Sequence, residues 1–211
     1  MVARFAKRTE IMDQLLGTTP KHSQREFDDH VTGWSDCSAC SLCRVRNQVV
    51  LYRGFLPADY LFIGEAPGGD EDREGLPFVG KAGEVLQAAI DLLSKEIEAL
   101  ELPEFRYGIT NIIACFPGRN AANGFNKPTT HQANACRSRL EEMVEIASPK
   151  LVILLGKISE QYAERINGLK TFDMYHPSYI LRQGGVNSQA FRSWFNELSR
   201  RVMKDYAKVQ E

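Results

Sequence analysis

Cysteines come first among the residues of this chain that can do chemistry. They stand at Cys37-x2-Cys40-x2-Cys43, then Cys115, then Cys136. Such an odd set, in a cytosolic setting, reads as metal-binding before it reads as disulfides. Soft thiolates select zinc or an iron–sulfur cluster. The competing reading, small buried hydrophobes, suits Cys37 and Cys40 badly, because their segment is polar and Ser-rich. A second group is the run Gly64-Glu65-Ala66-Pro67-Gly68-Gly69-Asp70-Glu71-Asp72. Its small residues, stiffened by Pro67, let backbone N–H groups approach a flat ligand edge. The alternative is a tight strand-to-helix connection with solvated acids. A third group is His176-Pro177-Ser178, one of only four histidines in the chain, and a fourth is Asn111, whose amide carries both donors and an acceptor.

The elements that must position these groups follow from periodicity. Tyr60-Leu61-Phe62-Ile63 is a continuous apolar run ending at Gly64, as a buried parallel strand requires. Ile109–Cys115, Leu151–Gly156 and Thr171–Tyr175 read as further strands. Between and after them, helical spacing covers 81–100, 131–146, 157–166 and 188–209. The second of these turns Leu140, Met143, Val144 and Ile146 inward, and the last does so with Phe191, Trp194, Phe195, Leu198, Val202 and Tyr206. Strands alternating with helices predict a parallel sheet covered on both faces. Ligands bind such sheets at the carboxyl ends of strands, where Gly64–Asp72, Asn111 and His176–Ser178 all fall. Residues 1–35 read as a helical appendage, with helices over 5–16 and 23–31 broken by Gly17-Thr18-Thr19-Pro20.

Composition sets the bounds. The chain has 211 residues, 43% hydrophobic and 25% charged, ordinary for a globular protein. No apolar run approaches the roughly 20 residues of a membrane span, and the basic start Met1–Arg8 has no apolar segment behind it, so no secretory signal is expected. With a formal net charge of −1, nucleic-acid binding needs a local basic patch. Gly75-Leu76-Pro77-Phe78-Val79-Gly80-Lys81 imitates a phosphate-binding P-loop, but Ala82 stands where a magnesium-holding hydroxyl belongs and an acidic turn precedes it instead of a strand. Gly80 and Lys81 can still open a helix toward a phosphate.

Taken in order, these motifs resemble the family 4 uracil-DNA glycosylases over about residues 36–200. The resemblance rests on Cys37-x2-Cys40-x-Leu42-x3-Arg46, Gly64-Glu65-Ala66-Pro67-Gly68, Glu71-Asp72 and Gly75-x-Pro77-Phe78-Val79-Gly80-x-Ala82-Gly83. It continues through Thr110-Asn111-x3-Cys115, Pro149-Lys150, Leu155-Gly156 and His176-Pro177-Ser178-x2-Leu181-Arg182. The resemblance implies a three-layer α/β/α domain over 36–211 with a central four-stranded parallel sheet. It also implies a structural 4Fe-4S cluster on Cys37, Cys40, Cys115 and Cys136, with Cys43 left over and zinc as the alternative metal; spacing alone leaves Cys43 open as a ligand in place of Cys37. The implied activity is monofunctional hydrolysis of the N-glycosidic bond of uracil in single- or double-stranded DNA, leaving an abasic site. A non-catalytic or altered-specificity binder of the same fold is the alternative.

Roles follow from the resemblance and the chemistry. A uracil in a duplex must be flipped into a pocket, where Phe78 would stack on it. Asn111 would pair with O4 and N3–H, a pattern cytosine mismatches. His176 would donate to O2 as negative charge develops there. Glu65 is the expected water-orienting or structural carboxylate, since Ala66 stands where other branches carry an Asp or Asn. Ala66 and Glu71 complete the base pocket. Gly80, Lys81, Ser178 and Arg182 are expected at the DNA backbone, and Ile180 or Leu181 as a wedge. The resemblance further implies a monomer in a prokaryotic or phage-encoded cytoplasmic setting. Three features depart from the family pattern: the Phe116–Pro128 loop lacks an Arg-Pro-Pro, the stretch between Gly156 and His176 is short, and residues 1–35 have no counterpart. That loop also lacks the histidine of a branch that links covalently to DNA.

Overall fold

A computed structural model describes residues 21–122, 124–163 and 169–207. Their elements are, in chain order, α1 (Lys21–Trp34), β1 (Arg53–Gly54), β2 (Tyr60–Gly64), α2 (Gly69–Glu74), α3 (Lys81–Ala99), β3 (Tyr107–Asn111), α4 (Thr130–Ala135) and α5 (Arg137–Ala147). After these come β4 (Leu151–Leu155), α6 (Lys157–Ala163), β5 (Thr171–Met174), α7 (Pro177–Arg182) and α8 (Gln189–Ala207). The helix expected over 5–16 lies outside the described residues, as do the ends of those expected over 157–166 and 188–209.

The sheet order is β1-β3-β2-β4-β5. β2, β3, β4 and β5 run parallel, and β1 pairs with β3 antiparallel through Arg53↔Ile109 and Gly54↔Gly108. The expected four-stranded parallel sheet is therefore corrected to a mixed, five-stranded one. The two-residue edge strand is too short to leave a periodic signal.

Pleating sends alternate residues to opposite faces. Phe62 and Ile153 pack with Leu86, Ile90 and Leu93 of α3 and Trp194 and Leu198 of α8. Leu61, Ile63, Val152 and Leu154 pack on the other face with Leu140, Met143 and Val144 of α5, and Phe27, Val31 and Trp34 of α1 lie against that core. Helix α1, the described part of the expected appendage, is thus fastened to the domain. Its Trp34 Nε1 donates to Glu142 Oε2 at 2.6 Å.

Three local corrections bear on the site. The expected strand 109–115 is shortened to end at Asn111; beyond it Ile112 N and Ile113 N donate to Gly64 O and Glu65 O, and Ala114 O accepts from Val50 N. The expected helix 131–146 breaks at Cys136, whose φ of −93° and ψ of 0° end α4 and start α5. The acidic stretch after Gly68 is not all loop: Asp70, Glu71 and Asp72 fill the first turn of α2, where negative charge favours the helix.

Candidate active site

The strand order places the switch in direction between β2 and β4, the crevice where open α/β sheets bind ligands. Register brings the groups together there. Gly64 pairs with Asn111 at the ends of β2 and β3, and Leu155 with Met174 at the ends of β4 and β5, two residues before His176. Gly64 has no side chain for a steric reason. An ideal Cβ there would sit 2.5 Å from both Asn111 Oδ1 and Phe78 Cζ. The same absence lets a ring and an amide converge on one strand end.

Asn111 is fully buried and its Oδ1 has no hydrogen-bond partner among the described residues. An unpaired buried acceptor costs of order 1–3 kcal/mol, so this atom waits for a donor. Its backbone is held by Arg139, a buried cation on α5. Arg139 Nη2 donates to Asn111 O at 2.6 Å and Ile112 O at 2.8 Å, and Nη1 to Thr110 Oγ1 at 3.0 Å.

Phe78 is buried with a left-handed φ of 54°, strained for a bulky residue. The turn carrying it is gripped from both sides. Arg53 of β1 donates to Pro77 O at 2.7 Å and Phe78 O at 3.2 Å. Glu71 accepts from Val79 N at 3.0 Å and Gly80 N at 2.8 Å through Oε1, and from Gly68 N at 2.9 Å through Oε2. Glu71 thus spends its carboxylate on backbone, joining the Gly64–Gly68 turn to the Phe78–Gly80 turn.

His176 lies 5.6 Å from Phe78, centroid to centroid. It caps α7, whose first residue is Pro177, a favoured first helical position. Ser178 N donates to its Nδ1 at 3.2 Å, and Ser178 Oγ lies 2.9 Å from the same nitrogen. With Nδ1 accepting, a neutral ring carries its proton on Nε2. Burial, with the Arg182 charge adding, pushes the imidazole down to about 4, so it is neutral at physiological pH. Gly156 sits against it with φ +92°, and an ideal Cβ there would lie 3.0 Å from His176 Cβ.

Glu65 is half-buried, and burial raises its pKa against the pull of Lys127. Ala66 packs against the second core. Lys81, exposed, starts α3 behind Gly80. Ile180 is buried in the core while Leu181 is 36% exposed, so of the two wedge candidates only Leu181 reaches solvent. Tyr175 and Tyr179, both exposed, stack on each other at 4.8 Å, and Arg182 is exposed on the same short helix as Leu181.

The cysteines are all free thiols, and among the described residues no three His, Cys, Asp or Glu side chains group closely enough for a single ion. Cys115, pushed up to about 12 by burial, is pulled down by Arg46 and feels Cys136 and Cys40. Two donors already face sulfur: Ala114 N lies 3.4 Å from Cys136 Sγ and Arg46 Nη1 lies 3.6 Å from Cys115 Sγ. Arg46 Nη2 also donates to Cys37 O at 2.6 Å. Soft sulfur donors with N–H groups aimed at them suit a thiolate-held group. Cys43 sits in the 3₁₀ turn Ser41–Arg44.

Sequence reasoning missed Arg53, Arg139 and the grip of Asp72 on Asn47, whose backbone N–H lies 2.9 Å from its carboxylate. One signal was available. Arg139 interrupts the apolar stripe of Leu140, Met143, Val144 and Ala147 on α5, and a lone cation in such a stripe must find buried partners.

Residues 54–199 match the family model of the uracil DNA glycosylase superfamily, and the chain belongs to that superfamily. Its relatives point to one branch. It is 30% identical over 190 residues to a type-4 uracil-DNA glycosylase of Thermotoga maritima, covering 82% of this chain and 88% of the relative. The type-4 enzyme of Archaeoglobus fulgidus is 28% identical over 177 residues, 74% of this chain and 83% of the relative. That of Sulfurisphaera tokodaii is 37% identical over 126 residues, a match spanning 60% of this chain and about half, 52%, of the relative. The chain belongs to the type-4 branch.

Proposed function

We propose that the protein excises uracil from DNA by hydrolysing the N-glycosidic bond, leaving an abasic site for base excision repair. The observation that carries this reading is the buried Asn111 Oδ1 at the end of β3, unpartnered among the described residues. Uracil offers it the N3–H donor, while the amide nitrogen suits O4. Cytosine presents a bare N3 and an amine, which would leave buried groups unpaired and be strongly rejected.

The uracil enters flipped out and lies against Phe78. As the bond between C1′ and N1 breaks, its electron pair goes to the base, and the neutral His176 Nε2–H donates to O2 where the charge gathers. Water bonds to C1′, oriented by Glu65, and its proton passes to the departing base. Ala66 offers water nothing, so the site leans on leaving-group stabilisation. Glu71 acts by positioning both turns. Leu181 fills the gap left by the flipped base, and Gly80, Lys81, Ser178 and Arg182 meet phosphates.

Cys37, Cys40, Cys115 and Cys136 would hold a 4Fe-4S cluster. It would supply structure, since glycosidic hydrolysis transfers no electrons. Iron and sulfide content separate it from zinc. The described residues contain no helix long and apolar enough to cross a membrane. We likewise propose a monomer working on DNA in the cytoplasm, with residues 36–211 as the glycosylase domain and 1–35 as its appendage.

The test is single-turnover cleavage of a labelled oligonucleotide with one central uracil, using anaerobically purified protein and alkali to reveal abasic sites. Uracil-dependent cleavage abolished in Asn111→Ala, with cytosine and thymine strands uncut, is the expected result. No cleavage by iron-replete protein would overturn it.

A further inference from the structure

Helix α2 carries two adjacent carboxylates, and they serve different neighbours. Consecutive helical residues point about 100° apart. Glu71 grips the pocket turn at Val79 and Gly80. Asp72, only 2% exposed, turns instead to the segment that follows the first cysteines. Its Oδ1 and Oδ2 lie 2.9 and 3.0 Å from Asn47 N, Oδ2 lies 2.5 Å from Asn47 Nδ2, and Gln48 N is 3.4 Å from Oδ1. Gln48 Nε2 returns bonds to Asp72 O and Arg73 O at 3.0 and 2.7 Å. Arg46, next in the chain to Asn47, reaches Cys37 O and Cys115 Sγ.

We propose that Asp72 is a positioning residue that couples the cysteine centre to the base pocket. The route runs from Cys37 and Cys115 through Arg46 and Asn47 to Asp72, then through Glu71 to the strained Phe78 turn. A buried carboxylate accepting several N–H bonds is a stiff joint, because each bond to a charged acceptor is stronger than a neutral one. The cysteine centre, loaded with metal, thereby sets the position of the aromatic ring that receives the base. This rests on the iron–sulfur reading above, and the experiment keeps the two apart.

Hydrogen exchange is followed by mass spectrometry on peptides covering Val79 and Gly80, in wild type, Asp72→Asn and the exposed-helix control Glu74→Gln, with iron and sulfide measured on each. In Asp72→Asn an amide NH₂ faces N–H donors, so the joint opens. Exchange at Val79 and Gly80 should rise at least tenfold and uracil release should fall at least tenfold, with iron content retained and the control unchanged. Asn47→Ala, an exposed change that removes one donor, should act in the same direction with smaller amplitude, which covers a failure of Asp72→Asn to fold. Chelating the metal from wild type should speed exchange at the same two amides, and chelation of Asp72→Asn should add little. Unchanged exchange in both variants, or equal increments on chelation in wild type and Asp72→Asn, would overturn the coupling. Protein without iron would refute the cluster reading alone, and the comparison of the variants with wild type would still decide the joint.

Discussion

Lowering the pH should leave catalysis intact until His176 itself takes a proton. An ordinary histidine, with pKa near 6.5, would be about 97% charged at pH 5. With its imidazole pushed down to about 4 by burial and Arg182, His176 is only about 10% charged there. The single-turnover rate should therefore be flat, as far as this group is concerned, from pH 8 to about 5, and fall below. The same displacement is a stability statement. The unfolded chain takes the proton first, so the contribution is fully present above about 6.5 and is lost as pH falls toward 4. A displacement of about 2.5 units corresponds to roughly 3 kcal/mol. Urea unfolding at pH 7 and 4.5 should show a loss larger in wild type than in His176→Ala by about 2–3 kcal/mol. His176→Ala should lower the rate by about 10²–10³, the cost of one donor to a developing anion, while DNA binding survives. A rate inflection near pH 6.5 that disappears in His176→Ala would refute the neutral-donor argument, as would an unchanged rate in that variant.

Three further outcomes are expected. Gly64→Ala places a methyl 2.5 Å from Asn111 Oδ1 and Phe78 Cζ, so uracil release should fall by at least about 10² while circular dichroism stays native; near-normal release would show that the two side chains do not converge on the base. Leu181→Ala should slow release from duplex by about tenfold and spare single strands, since a wedge matters only where bases are stacked; an equal loss on both would remove it from flipping. Arg139→Met removes the donors to the carbonyls of Asn111 and Ile112 and to Thr110 Oγ1, which keeps its bond to Leu51 O. At roughly 3 kcal/mol the melting temperature should fall by about 6–12 °C, and calorimetry showing no change would dismiss the tether.

Much of this was legible because it is written locally. The apolar runs of β2 and β4 needed no partner to be recognised, and the motifs that set Asn111, Phe78 and His176 apart are short. What escaped is of two kinds. Brief elements, such as β1 or the break at Cys136, are smaller than the periods used to find elements. The clamps escaped because their partners are distant in sequence and are backbone atoms: Arg53 meets Pro77 O and Phe78 O, and Arg139 meets Asn111 O and Ile112 O.

The chain alone determined which residue types were available at strand ends, that cysteines recur at short spacing, and that the sheet would be covered on both faces. Those are matters of spacing and hydrophobic period. Tertiary structure decided that β2 lies between β3 and β4, which sets Gly64 against Asn111. It decided that His176 is desolvated enough to be neutral, and that Glu71 and Asp72, neighbours in the chain, grip different segments. Desolvation and long-range hydrogen bonds depend on what the folded chain packs around a group, and no local pattern records that.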